Sequence, residues 1–395
     1  MKGNQMMPSI FSASNPILFG VGTSKEVGKR AKGFGCTKVL LVFGKNIEAA
    51  GLPDKIEKYL REEDIEVVRY NGVQADPPDW SAEEAARIGL ENKVDGIIGL
   101  GGGSSLDTAK AATLLQTNPF PLRQYFGRFA AKANPGITLI VIPTTAGSGS
   151  ECTPGGVITD TENQVKTNVN GAGCKVTLGI CDPELTLRLP KPVTASTGFD
   201  ALCHAMESYT SIGHNPFAAL AAEKAITLVG NSLMRAYTNG SYDLKARIDM
   251  MEAATLGGIS MMGPLCHLGH DIGRALGASY RLPHGIACVI SMPQVLAYIA
   301  SAVPEKVAFI GRALGADIAE GEDSASIGVK SKEALRDMMK AMNIPTLQSY
   351  GLNKLELFEK IPPNVLEMGL ALAPMPTTTE SIISILDKVY EENVW

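Results

Sequence analysis

The chain lacks any run of about 18 apolar residues, and its first lysine is followed by no apolar segment and no cleavage site, so neither a membrane-spanning helix nor an export signal is expected. Basic residues are not in excess: 36 Lys and Arg face 41 Asp and Glu, for a net charge of -5. No basic stripe is available to neutralise phosphates, which excludes nucleic acid as an expected partner. The seven cysteines are odd in number, scattered, and form no C-x-x-C pair. That pattern argues against a disulfide framework and a zinc ribbon, and a reducing cytoplasm is the expected location. Charged residues make up 19% and apolar residues 45%, the balance of a folded chain and not of a disordered one. A length of 395 residues exceeds what one core usually supports, so two domains are expected.

Apolar runs alternate with helical periodicity in the first half. Residues 38–43, 65–70, 95–100 and 137–143 read as strands, and the stretches 54–63 and 81–93 as helices, with Ser81 as a candidate N-cap. Strands separated by helices predict a mainly parallel sheet covered on both faces. Beyond Asp182 the chain turns to long Ala-, Leu-, Met- and Glu-rich helical patterns after a cluster of prolines, Pro183, Pro190 and Pro192. The expected division is an α/β dinucleotide-binding domain over 1–187 and an all-α domain over 188–395.

The third strand runs into GGGSSLDTAK, residues 101–110. Glycines at Gly101, Gly102 and Gly103 let a ligand approach the backbone, and a helix start at Ser104 and Ser105 offers N–H groups and a positive dipole end to a pyrophosphate. A plain tight turn is the competing reading. The G-x-G-x-x-G fingerprint is absent from the first strand–helix turn, which reads FGKNIEAAG. A second polar loop, TTAGSGSE at 144–151, follows the fourth strand and can line the same crevice; an ordinary loop is again the alternative.

Histidine is scarce, five in the whole chain, yet four fall in two windows of the second half. Asp200 and His204 are spaced i, i+4, which puts a carboxylate and an imidazole on one helical face. His270 and His284 are separated by a turn containing proline and could converge from a different helix and loop. One carboxylate with three neutral imidazoles suits a divalent first-row metal. Against this stands the reading of each histidine as a hydrogen-bonded core residue; His267 and His214 are left unassigned, with a structural or surface role favoured for both.

Together these motifs, with FGVG at 19–22, VITD at 157–160, DPE at 182–184, TGFDALCHAME at 197–207 and LPHG at 282–285, resemble the iron-dependent (group III) alcohol dehydrogenase family, whose fold is shared with glycerol dehydrogenase and dehydroquinate synthase. The resemblance covers nearly the whole chain. It implies a metal in a cleft between the two domains, with Asp200, His204, His270 and His284 as its ligands. It implies Fe2+ ahead of Zn2+ or Mn2+, and a homodimer or larger homo-oligomer. Gly101, Gly102, Gly103, Ser104 and Ser105 correspond to the pyrophosphate loop, with Asp107 in the same motif, and Thr144, Thr145 and Ser148 to cofactor contacts. Lys166 matches a lysine at the nucleotide ribose, and Asp76 stands where the family usually has asparagine.

Two departures bear on specificity. NAD-using members carry an aspartate just after the first strand, where it bonds the ribose 2′-OH and repels a 2′-phosphate. Here Gly44 and Lys45 stand instead, which ranks NADP(H) ahead of NAD(H). Many relatives have a histidine four residues after the third ligand; Arg274 stands there and suits a carboxylate, phosphonate or sulfonate tail, such as that of a short ω-hydroxy acid or its semialdehyde. Arg274 turned toward Asp271 or solvent is the alternative. The expected activity is a metal-dependent, NAD(P)-linked alcohol dehydrogenase or aldehyde reductase. A polyol dehydrogenase, a maleylacetate-type reductase, a dehydroquinate-type lyase and a non-catalytic cofactor-binding assembly component are the rivals.

Overall fold

The apolar runs of the first half form the middle of a six-stranded sheet. Its strands are β1 (Ile17–Phe19), β2 (Lys38–Gly44), β3 (Glu66–Val73), β4 (Gly96–Gly101), β5 (Thr138–Pro143) and β8 (Leu178–Cys181). The order is β1-β8-β5-β4-β2-β3, and every pairing is parallel. The structure is a computed structural model and describes residues 10–127, 132–365 and 367–395. The first nine residues, on which part of the export expectation rests, lie outside them.

Alternation along each strand feeds two cores. Leu40, Val42, Ile97, Leu139 and Val141 face one side, packing with Ala82, Ala85 and Ala86 of the Asp79–Glu91 helix and Leu106 and Ala109 of the Gly103–Leu114 helix. Their neighbours Val39, Leu41, Phe43, Ile98, Leu100, Ile140 and Ile142 face the other, against Val27 and Ala31 of the Val27–Gly33 helix and Ile56 and Leu60 of the Leu52–Arg61 helix. Each large aliphatic side chain so buried contributes roughly 1.5–3 kcal/mol, which makes this central slab the rigid part of the unit.

Strand order reverses between β2 and β4: β3 lies on the far side of β2, while β5 and β8 continue beyond β4. The carboxyl ends of β2 and β4 therefore flank a topological switch point, where open α/β sheets take ligands. Gly44 ends one of these strands and Lys45 opens the helix after it; Gly101 ends the other and Gly103 opens its helix.

Three local readings are revised. The helix read as 81–93 begins at Asp79, because Pro78 supplies the extended residue before its first turn. Ser81 is consequently no cap; it is fully buried, with Oγ 2.9 Å from the Tyr70 hydroxyl. β1 and β8, of three and four residues, are too short to register as apolar runs. Two further strands, β6 (Gly156–Asp160) and β7 (Val165–Val169), make an antiparallel hairpin apart from the main sheet.

Chain contacts divide the molecule into two compact units. One comprises Ser14–Thr197 with Arg235–Gly258, and the other Gly198–Met234 with Ile259–Trp395 and residues 10–13. After β8 the described residues contain helices and no strand, in agreement with the expected all-α half. None of the described helices is long and apolar enough to cross a membrane. Within the helical unit, the Leu268–Tyr280 helix stops at Arg281 in the left-handed region (φ 56°), and Pro283 opens the His284–Val289 helix. The two helices pack at backbone distance, since a Cβ on Gly273 would lie 2.7 Å from Cα of Cys288.

Candidate metal centre and nucleotide loop

Gly101 leaves β4 with φ +146°, and the next helix begins two residues on at Gly103. Thr144, following β5, donates its N–H to the Gly101 carbonyl at 2.9 Å and so ties the two predicted loops together. A Cβ on Gly102 would stand 3.1 Å from Oγ1 of Thr145, and one on Gly103 3.1 Å from Ser148. Larger residues would fill the space above the first turn of the helix, whose leading N–H groups have no intrahelical acceptor. Oγ1 of Thr144 is buried without a hydrogen-bond partner. A pyrophosphate suits this cradle: it needs close backbone approach, free N–H donors and hydroxyls.

Asp107 has a different place from its motif neighbours. Its carboxylate accepts from Ser150 Oγ at 2.6 Å and from the Val157 N–H at 2.9 Å, and so braces the loop and the start of the hairpin. The fully buried Lys110, which the sequence reading did not single out, donates to the Ser150 and Gly155 carbonyls and to the hydroxyls of Ser150 and Thr153 at 2.6–3.0 Å. Asp76 (φ 50°) and Lys166, far apart in sequence, meet in an ion pair of 2.6 Å.

In the helical unit, Asp200 and His204 occupy successive turns of the Lys191–Thr210 helix, as their spacing predicts. His270 sits in the first turn of its helix and His284 is the first residue of the next. All four converge. The Nε2 atoms of His204, His270 and His284 stand 3.9, 3.8 and 3.7 Å from Oδ1 of Asp200. The ligand atoms of the four residues lie within 4.8 Å of one another, and ligands of one first-row cation, bonded at about 2.0–2.2 Å, are spaced roughly 3–4 Å apart.

Asp200 Oδ1 and His270 Nε2, 3.8 Å apart, are buried and have no hydrogen-bond partner. Orphaned polar atoms facing one point are costly in a folded protein unless something binds them, so the donor set fits a divalent cation. Burial raises the Asp200 carboxyl, but His204, His284 and His270 outweigh it and hold the group below the usual carboxylate range. Burial pushes His204 down to about 4, so its lone pair is available at neutral pH.

A residue that the sequence reading passed over completes the centre. Glu207 is fully buried and its Oε2 bonds Nδ1 of His270. Burial raises its carboxyl; His270 and the surrounding donors more than reverse that and hold it at about 2. The signal was present, because 200, 204 and 207 follow the i, i+4, i+7 spacing of a single helix face.

Arg274 lies one turn beyond His270, with Nη1 3.8 Å from Asp271 Oδ1, and its side chain is 27% exposed. His267 is a buried residue whose Nε2 stands 2.9 Å from the Thr210 hydroxyl. His214 lies outside the cluster, half-buried, with its pKa lowered by burial and by Lys306.

This is the equipment of a metal-dependent nicotinamide dehydrogenase. The family model for iron-containing alcohol dehydrogenase matches residues 14–183, and that for the C-terminal part of the Fe-containing alcohol dehydrogenase family matches 194–390. The chain is 35% identical over 347 residues to a choline dehydrogenase of Bacillus subtilis (strain 168), covering 87% of this chain and 85% of that protein. It is also 35% identical over 348 residues to a sulfoacetaldehyde reductase of Bilophila wadsworthia (strain 3_1_6), covering 86% and 88%. A solved structure of 1,3-propanediol oxidoreductase superposes with a TM-score of 0.92 at 32% identity, covering 97% of this chain and all of that one. The chain belongs to the iron-containing alcohol dehydrogenase family and is an alcohol/aldehyde oxidoreductase that uses a divalent metal and a nicotinamide dinucleotide.

Proposed function

We propose that Asp200, His204, His270 and His284 hold the catalytic cation, Fe2+ ahead of Zn2+ or Mn2+, for oxidation of a small alcohol or reduction of the matching aldehyde. One observation carries the assignment: three imidazole nitrogens within 3.7–3.9 Å of a single buried, unpartnered carboxylate oxygen. A bound cation would supply Lewis acidity, lowering the pKa of a hydroxyl beside it or polarising a carbonyl. The chain's own share is placement. His204 stays neutral, His270 is oriented by Glu207, and the carboxylate of Asp200 contributes the negative charge.

The dinucleotide reading assigns Gly101, Gly102, Gly103, Ser104 and Ser105 to the pyrophosphate, and Thr144, Thr145 and Ser148 to further contacts. Asp76 and Lys166 act at the ribose as a pair. Asp107 acts through Ser150, by holding the second loop. The functional partition is 1–187 for the nucleotide and 188–395 for the metal, in a cytoplasmic homodimer or larger homo-oligomer; all seven cysteines are free, as a reducing compartment requires.

Gly44 ends β2 with no side chain to repel a 2′-phosphate, and Lys45 follows as an exposed cation. The expected kcat/KM ratio of NADPH to NADH is above one. A clear NADH preference in steady-state assays with one aldehyde would reject this reading.

The two named relatives are equally similar, yet one is named for a cationic alcohol and the other for an anionic aldehyde, so overall identity does not choose the substrate's charge. Arg274, partly exposed and one turn past a proposed ligand, although 3.8 Å from Asp271, supports an anionic tail such as that of an ω-hydroxy acid or semialdehyde. Arg274→Ala is expected to raise KM for an anionic C3–C4 aldehyde on the order of tenfold, the value of about one charge-assisted hydrogen bond. The neutral aldehyde of equal length should change by less than twofold. An unchanged ratio of the two KM values sinks the idea.

A further inference from the structure

The geometry assigns Glu207 as the positioning residue of the metal centre: its buried carboxylate locks the ring of His270 and the first turn of the Leu268–Tyr280 helix, so that Nε2 of His270 faces Asp200 before a cation arrives. The inference rests on the metal reading above.

Oε1 of Glu207 accepts the N–H groups of His267, Gly269 and His270 at 3.2, 2.8 and 3.1 Å. Oε2 accepts the His270 N–H at 3.1 Å and also bonds Nδ1 of the same residue. Both oxygens accept backbone N–H groups, so the carboxylate meets the ring as an acceptor; Nδ1 then carries the ring proton and Nε2 presents its lone pair. The ring is thus fixed in both tautomer and direction. The backbone bonds reach the start of a helix, where N–H groups lack internal acceptors and the dipole favours negative charge. Gly269 leaves room for this contact, since a Cβ there would meet Glu207 Oε1 at 3.2 Å and Sδ of Met292 at 2.2 Å.

Cys266, Glu207 and His270 are themselves close enough to hold a cation. Both oxygens of Glu207 are already engaged by donors, however, and Nδ1 of His270 is one of them. The grouping therefore serves the first centre from behind and is not a second one. A single helix carries two ligands, Asp200 and His204, together with the group that aims a third.

Outer hydrogen bonds of this kind change metal affinity about 10–100-fold when lost. The test is a double-mutant cycle read by Zn(II) affinity in chelator competition, with thermal unfolding of each metal-free protein recorded alongside. Glu207→Gln keeps the shape but puts an amide where two acceptor oxygens are needed. It is expected to weaken Zn(II) binding about 10–100-fold, and more than half of that free energy should vanish when the same change is made in His270→Ala. A loss below threefold, or one that mostly persists without His270, overturns the assignment, because a merely structural carboxylate would act equally in both backgrounds. Should Glu207→Gln not fold, Glu207→Asp, too short to span both partners, is read in the same cycle by the same two criteria. A wild-type protein that fails to bind one Zn(II) per chain fails differently: it removes the metal reading and this inference with it.

Discussion

His204→Ala is expected to leave a folded protein that purifies without its cation and has lost at least about 10³-fold in kcat/KM, since charge stabilisation by a bound metal is worth several kcal/mol in the transition state. The fold should survive because the ring makes no hydrogen bond: its Nδ1 has no partner, and its Nε2 faces Asp200 at 3.9 Å, beyond bonding reach. Metal analysis, circular dichroism and an NAD(P)H-linked aldehyde assay on the same sample separate the outcomes. Full metal occupancy with activity within tenfold of wild type would mean that the cation, if any, is held elsewhere. Adding Fe(II) or Zn(II) to the variant should restore little, because three remaining ligands leave a much weaker site.

Lys110→Met is expected to cost about 3–5 kcal/mol in urea unfolding, the range seen when one partner of a buried charged network is removed. Methionine matches the stem of lysine, so packing changes little. What is lost is an ammonium that four oxygens of Ser150, Thr153 and Gly155 surround at 2.6–3.0 Å. The Ser150 and Gly155 carbonyls would then keep only the long 3.4 Å contacts from Thr153, and Asp107 would lose the ammonium 3.8 Å away. Because Ser150 also binds Asp107 and its N–H reaches Ser148 at 3.3 Å, the dinucleotide KM should rise together with the instability. A variant less than 1 kcal/mol weaker than wild type, measured as about one unit on this scale, would show that the surrounding oxygens find other donors.

The central strands were legible because burial on both faces writes them as unbroken apolar runs, as in Val39 to Phe43. The residues that converge as a candidate metal site were legible for another reason: with five histidines in the chain, two windows holding four of them stand out against the rest. The outer strands β1 and β8 were too short to leave a pattern. The hairpin was hidden because its strands, GVITD and VKTNV, are half exposed and mix polar with apolar residues. Ser81 misled because a serine ahead of a helical pattern looks like a cap, while nothing in its neighbourhood signals that Tyr70 will claim its hydroxyl. Asp107 illustrates a limit of motif reading: it belongs to the glycine-loop signature, yet its carboxylate turns away to hold another segment. Glu207 could have been read from its helix face, but which donor a buried carboxylate will meet depends on residues 60 or more positions away, and only the folded chain brings them together.

The contact between Gly273 and Cys288 has a consequence for anyone reshaping substrate preference. It lets the helices bearing His270 and His284 meet main chain against main chain at this point. Even one methyl group at 273 would therefore push apart the two helices that carry these proposed ligands and detune the centre from a distance.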